Sequence, residues 1–138
     1  MKRFLNTVLK TSMLIVVLLL VSCSNNDENL DLTIQEKIEI LESNEWLLKG
    51  FENNVMHTFK EGKRYTFYGK DGKFDNEAIP GTESYTKAGE LLMMDFNFGN
   101  EKTFELQFSC KNKIVSFYEN GELNSTLYLR NSNYQECL

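Results

Sequence analysis

The single histidine, His57, is the first residue to test for chemistry, because an imidazole can act as a general base or a metal ligand. No second histidine stands at zinc-ligand spacing, and the sequence has neither a Gly-x-Ser-x-Gly motif nor a glycine-rich phosphate loop. Alternation places Val55, His57 and Phe59 on one face of a predicted strand, so His57 can project into the interior. In the interior, the imidazole of His57 either contacts a ligand or forms hydrogen bonds with neighbouring polar groups.

The acidic residues suggest no catalytic centre either. A glycosidase uses two carboxylates that flank a cleft, and the closest acidic groupings here are the segment 71–77 and the pair Glu101 and Glu105. These residues fall in predicted turns or on the wet face of predicted strands, which favours a solvated surface. We therefore predict a protein that is not an enzyme and that needs no metal and no cofactor.

Cys23 directly follows an N-terminal apolar segment. Basic residues are confined to positions 2–10 of this region, the apolar run covers 13–21, and the small residue Ser22 precedes the cysteine. This order of charge, apolar run and small residue is typical of a secretory signal. The run is shorter than the roughly 20 residues that span a bilayer.

The tetrapeptide Leu20-Val21-Ser22-Cys23 resembles the lipobox of bacterial lipoproteins, in which the cysteine is acylated and becomes the first residue of the mature protein. The resemblance implies a lipoprotein signal peptide at 1–22, a lipid on Cys23 and a flexible tether at 23–32. Each buried methylene contributes about 0.8 kcal/mol, so several acyl chains give stable membrane attachment. The expected location is the outer membrane, on its periplasmic face or at the cell surface. The alternative is an ordinary signal or membrane anchor with an incidental cysteine.

The charge of the mature chain limits its partners. Without residues 1–22 the chain has 12 basic and 20 acidic residues, a net charge of −8. Nucleic-acid binding requires a clustered basic face, which this composition does not suggest.

Cys110 and Cys137 remain once Cys23 is assigned to the lipid, an even count in an exported protein. We predict a disulfide between them. Such a bridge would close a loop of 26 intervening residues and stabilise the fold by roughly 3 to 4 kcal/mol in the chain-entropy account. The alternative is a buried Cys110 and a free thiol at Cys137.

A short helix is predicted to begin after Thr33. Thr33 and Glu36 have the spacing of a capping box. Ile34, Ile38 and Leu41 then form one apolar stripe, as on an amphipathic helix that covers a sheet.

The chain from Glu45 onward is predicted to be all-β. Short alternating segments are separated by turn pairs such as Asp71-Gly72 and Asn120-Gly121, at spacings of roughly 8 to 12 residues. Alternation predicts two inward-facing sets, which are Phe104, Leu106, Phe108 and Cys110, and Leu92, Met94, Phe96 and Phe98. We expect an antiparallel up-and-down β-meander of about eight strands that forms a small barrel or half-barrel.

Several of these features together are similar to a known family. They are Trp46 at the start of the first strand, the hairpin Thr58–Tyr65, the segment Tyr85–Leu91 and the closing Leu127–Arg130. They resemble the lipocalin-like domain of small bacterial lipoproteins, over roughly residues 41–130. The resemblance implies a domain at 33–138 with a barrel, an unassigned ligand and no catalytic residues.

Two functions are consistent with such a barrel. The first is a non-catalytic, lipid-anchored envelope protein that binds a small or hydrophobic ligand, for which we predict Tyr65, Phe67, Tyr85 and Met94 as binding residues. The second is a protein–protein interaction or inhibitor module with a filled core, whose partner is another envelope protein. A cavity with aromatic walls favours the first, whereas an exposed apolar patch without a cavity favours the second.

Overall fold

The computed structural model describes residues 31–81 and 83–138, so Cys23 and the predicted signal peptide lie outside the described residues. The described chain contains an α-helix, α1 (Ile34–Glu42), nine strands and a C-terminal 3₁₀ helix (Tyr134–Cys137). The strands are β1 (Glu45–Leu48), β2 (Val55–Lys60), β3 (Lys63–Lys70), β4 (Lys73–Phe74), β5 (Glu83–Ala88), β6 (Leu91–Asp95), β7 (Glu101–Ser109), β8 (Ile114–Glu119) and β9 (Glu122–Leu129).

Eight of the strands close into an antiparallel barrel, which confirms the predicted fold class. Each strand pairs with the next along the chain, β4 excepted, and β9 returns to pair with β1 through Trp46 opposite Leu129. The tight turns follow the expected chemistry, since Asn120 and Gly121 between β8 and β9 both have positive φ, 53° and 81°. Pairing of β9 with β1 removes the two free edges that an open meander would have at its first and last strands.

The helix α1 covers one end of the barrel. The predicted capping box is present, since the Thr33 amide donates to the Glu36 carboxylate at 2.8 Å and the Glu36 amide donates to the Thr33 hydroxyl. Ile38 and Leu41 are buried in the same core as Trp46. The Trp46 indole Nε1 donates to the Leu41 carbonyl at 3.0 Å, so the helix end and the first strand are locked together.

The barrel is irregular between β3 and β5. These strands pair only through Lys63 opposite Ser84 and Arg64 opposite Glu83. Farther along β3, the segment that connects β4 to β5 replaces β5 as the hydrogen-bonding partner. The amides of Asp75 and Ile79 donate to β3 carbonyls at 2.9 Å and 2.8 Å. The two-residue strand β4 also pairs with this part of β3.

The inward-facing sets are largely as predicted, with Leu92, Met94, Phe104 and Leu106 fully buried. Phe98 and Cys110 are the exceptions, and Cys110 follows the end of β7 and lies in an apolar cluster outside the barrel. The chain leaves β6 after Asp95 and turns through Asn97, Phe98 and Gly99, all with positive φ, so the Phe98 side chain is fully exposed. The alternation of apolar and polar residues in the sequence therefore extends beyond the end of the strand, and it does not mark where the strand stops.

A second, smaller apolar cluster lies outside the barrel under the C-terminal segment. The rings of Tyr128 and Tyr134 stack with their centroids 4.3 Å apart and their planes at 12°. Cys110 and Cys137 are paired at disulfide distance, with 6.0 Å between their Cα atoms, as the cysteine count predicted. The C-terminal 3₁₀ helix is thus held against the barrel wall by both contacts.

Candidate ligand-binding cavity

A cavity of about 680 Å³ opens at one end of the barrel. It lies at the end opposite α1, where the strand ends and turns of the β1–β2, β3–β4 and β8–β9 connections meet. The lining residues are Leu48, Phe51, Asn54, Val55, His57, Arg64, Thr66, Tyr68, Gly69, Met94, Phe96, Phe104, Phe117, Asn124, Ser125 and Leu127. This volume falls within the range of roughly 300 to 1,000 Å³ found for small-molecule sites.

The cavity has two chemically different walls. Strands β2 and β3 supply His57, Arg64 and Thr66, here called the polar wall. Strands β6 to β9 supply Met94, Phe104, Phe117 and Leu127, all almost fully buried and here called the apolar wall. A molecule in the cavity would therefore meet hydrogen-bonding groups on one side and apolar groups on the other.

The polar wall follows from the geometry of one hairpin. The two-residue turn Glu61-Gly62 pairs Phe59 with Arg64 and His57 with Thr66. Directly opposed residues share a face of a sheet, so the side chains opposite the inward-facing Phe59 and His57 must also point inward.

His57 is held as a neutral imidazole. Its Nδ1 lies 3.0 Å from the Thr66 hydroxyl oxygen, with which it shares a hydrogen bond. Burial and the nearby positive charge of Arg64 lower the His57 pKa from 6.5 to about 3, although a hydrogen bond with the Tyr65 backbone opposes this shift. The imidazole consequently brings no charge to the cavity near neutral pH.

Arg64 carries a positive charge that is already compensated. Its Nε donates to Glu83 Oε2 at 2.5 Å, and its Nη2 contacts the same oxygen. The guanidinium also lies 5.3 Å from the ring centroid of Phe96, at cation–π distance. Burial lowers the pKa of the guanidinium and Glu83 opposes that effect, but an arginine side chain stays protonated in proteins.

The cavity mouth is formed by the exposed residues Phe51, Asn54, Tyr68 and Asn124. Asn124 donates at 3.4 Å to Glu119, which in turn forms an ion pair with Lys102 at 2.8 Å. Lys102 and Glu119 near the mouth thus compensate each other, as Arg64 and Glu83 do in the interior.

The four predicted binding residues are not brought together. Met94 lines the cavity, whereas Tyr85 is buried deeper, where its ring packs against Phe59 and its hydroxyl donates to Glu42 of α1. Tyr65 and Phe67 lie opposite Thr58 and Met56, on the outer face of β3. Neither of these two predicted binding residues lines the cavity, and Arg64 and Thr66 occupy the inward positions of β3 instead.

A scan against protein-family models, a search of curated proteins and a search of solved structures found no match to this chain. Within residues 31–81 and 83–138, no group of three or more His, Cys, Asp or Glu side chains is arranged to hold a metal ion. Neither helix in this described part of the chain is long and apolar enough to cross a membrane.

Proposed function

We propose that this protein is a lipid-anchored lipoprotein of the cell envelope, whose lipocalin-like barrel binds a small, largely apolar ligand in its interior. The cavity is the observation that carries the proposal. A barrel of eight strands can be filled completely by its own side chains, yet this one leaves about 680 Å³ open beside an apolar wall of Phe, Leu and Met side chains.

The anchor part of the proposal depends on the N-terminal sequence. The apolar run, Ser22 and Cys23 support processing before Cys23 and lipid attachment at its side chain, with the outer membrane as the expected location. Intact-mass analysis of the protein purified from its own host tests this directly. The expected mass is that of residues 23–138 plus acyl groups, and an unmodified cysteine would contradict the anchor.

Ligand binding is tested on residues 23–138 carrying Cys23→Ser, with the disulfide formed. A neutral, environment-sensitive dye such as Nile red should show saturable fluorescence enhancement with one site. Ser125 lines the cavity opposite Phe117, so Ser125→Trp should fill the space and weaken dye binding about tenfold or more.

Thr103→Trp is the matched control for this variant. Thr103 is an exposed residue of β7 that alternates with the inward-facing Phe104, so the same indole is placed on the outer face. This variant should keep the affinity of the parent protein. Equal dye binding by both tryptophan variants would show that the dye does not occupy the interior, and the proposal would fail.

An interaction or inhibitor module is the second candidate. The observation that favours it is a group of exposed apolar side chains at the cavity end of the barrel, namely Phe51, Tyr68, Phe98 and Leu123. The two functions are separated by native mass spectrometry of the delipidated protein from its host. A clean apo mass that persists after exposure to host lipid extract favours the module, whereas a bound small molecule favours the carrier.

A further inference from the structure

We propose that the cavity selects an uncharged amphiphile, with a carbonyl or hydroxyl oxygen against Arg64 and an apolar body against the apolar wall, and that it discriminates against a carboxylate head group. This inference rests on the proposed ligand-binding function and names the class of ligand.

Arg64 is the hydrogen-bond donor that the ligand would meet. Glu83 engages Nε and Nη2 of the guanidinium, and Nη1 has no hydrogen-bond partner among the described residues. Arg64 lines the cavity, while Glu83 does not. An oxygen acceptor on the ligand can therefore receive a charge-assisted hydrogen bond without displacing Glu83.

The charges around the cavity explain why this acceptor should be neutral. Glu83 compensates Arg64, and Glu119 compensates Lys102 near the mouth. His57 is almost fully buried and adds no positive charge. A carboxylate would lose its hydration and find no uncompensated cation among the described residues that line the cavity, whereas an amide or alcohol oxygen loses much less on leaving water.

The apolar wall determines the size and the apolar character of the rest of the ligand. The rings of Phe104 and Phe117 pack edge to face with centroids 5.7 Å apart, and Leu127 and Met94 adjoin the same surface. At about 30 Å³ of liquid volume per water, the cavity holds the equivalent of roughly 20 water molecules. A chain or ring system of that size with one oxygen function fits this space.

The experiment compares two ligands of equal chain length, decanamide and decanoate, by displacement of bound Nile red near neutral pH. For the protein carrying Cys23→Ser, we expect decanamide to bind about tenfold more tightly. Decanoate binding as tightly as decanamide would overturn the inference, whatever the variants show.

Glu83→Gln tests the cause of the selectivity. This change removes the compensating carboxylate and leaves Arg64 as a net positive charge beside the cavity. The ratio of decanoate affinity to decanamide affinity should rise about tenfold. An unchanged ratio would overturn the inference, because any apolar cavity prefers a neutral ligand to some degree.

Two further variants keep this test specific. Glu45→Gln makes the same change in net charge but breaks the Arg130–Glu45 pair on the exterior, so its ratio should equal that of the parent. The double variant Arg64→Gln with Glu83→Gln removes both charges and should keep the parent preference for decanamide. A ratio that rises as much in Glu45→Gln as in Glu83→Gln would assign the effect to net charge and contradict the inference.

Failure of the inference is distinguishable from failure of the proposed function. If Nile red binds inside the parent barrel but the ligand ratio does not respond to Glu83→Gln, the carrier function stands and the selectivity is wrong. If neither the dye nor either ligand binds more tightly to the parent than to Ser125→Trp, the carrier function itself fails.

Discussion

His57 makes the stability of the barrel depend on pH in a defined direction. Its pKa is about 3 in the folded protein and 6.5 in the absence of the fold. Between these values the unfolded chain binds a proton that the folded chain does not, so the free energy of unfolding decreases as the pH falls from 6.5 towards 3. The contribution of this one group has a slope of at most about 1.4 kcal/mol per pH unit.

Urea unfolding of the parent and of His57→Gln, at several values from about pH 7 to about pH 4, measures this contribution. Glutamine keeps a hydrogen-bonding side chain near Thr66 but does not titrate. The stability difference between the two proteins should shift in favour of His57→Gln as the pH falls. A difference that stays constant over this range would mean that His57 is not held neutral.

Single residues on β3 show how much of the site was accessible from the sequence. Tyr65 and Phe67 were predicted as ligand-binding residues because they are aromatic, but residue type alone does not say which face of β3 is inside. The decisive signal was the two-residue turn Glu61-Gly62, which fixes the pairing of the hairpin. Once His57 is placed inside, the same pairing places Thr66 inside as well.

The C-terminal segment is an element whose stability depends on the disulfide. Reduction of the Cys110–Cys137 bridge should lower the free energy of unfolding by roughly 3 kcal/mol, since it releases the loop constraint on the unfolded chain. The stacking of Tyr134 on Tyr128 should weaken at the same time. Chemical denaturation with and without a reductant measures the change.

The double variant Cys110→Ser with Cys137→Ser is the control for reduction. Its stability should match that of the reduced parent and should not respond to the reductant. If reduction destabilises the double variant equally, the effect does not come from this bridge.

The elements were predicted well where local chemistry determines them. The Thr33–Glu36 capping box and the apolar stripe define α1, and paired turn residues separate most of the strands. Local chemistry determines the segment 70–81 least, because it has no alternation and contains Pro80. In the structure the amides of Asp75 and Ile79 donate hydrogen bonds to backbone carbonyls of β3. The periodicity of the sequence does not encode this tertiary arrangement.

At the scale of the whole molecule, closure of the barrel depends on contacts between distant parts of the chain. Leu47 pairs with Tyr128, and the Glu45 carbonyl accepts from the Arg130 amide at 2.9 Å. The number of turns indicated about eight strands, but it left a barrel and a half-barrel equally open. Pairing between the first and last strands is specified by how the complete inner surface packs, which no single segment contains.

For the proposed lipid-anchored protein, the position of α1 also predicts the orientation of the barrel on the membrane. The tether 23–32 would join the barrel at the end that α1 covers. A flexible chain of this length has a mean reach of about 18 Å, while β7 alone, tilted as in other barrels, gives a barrel height of about 22 Å. The cavity mouth is therefore expected to point away from the bilayer.

This orientation can be measured by energy transfer from a dye on the barrel to an acceptor in the lipid of a nanodisc. Dyes are attached to Ala88→Cys, near the end covered by α1, or to Phe98→Cys, at the cavity end, after lipidation and disulfide formation. Transfer should be more efficient from position 88. Greater transfer from position 98 would reverse the orientation.

In the proposed anchored carrier, a helix that closes the membrane-facing end would also determine the route by which a ligand arrives. Lateral diffusion within the bilayer would bring a molecule to the foot of the protein, where Ile38 and Leu41 of α1 fill the core. In that orientation, the mouth of the described cavity would open to the aqueous side. The aqueous concentration of the ligand would then govern loading of the proposed carrier, and a poorly soluble ligand would need delivery by another protein.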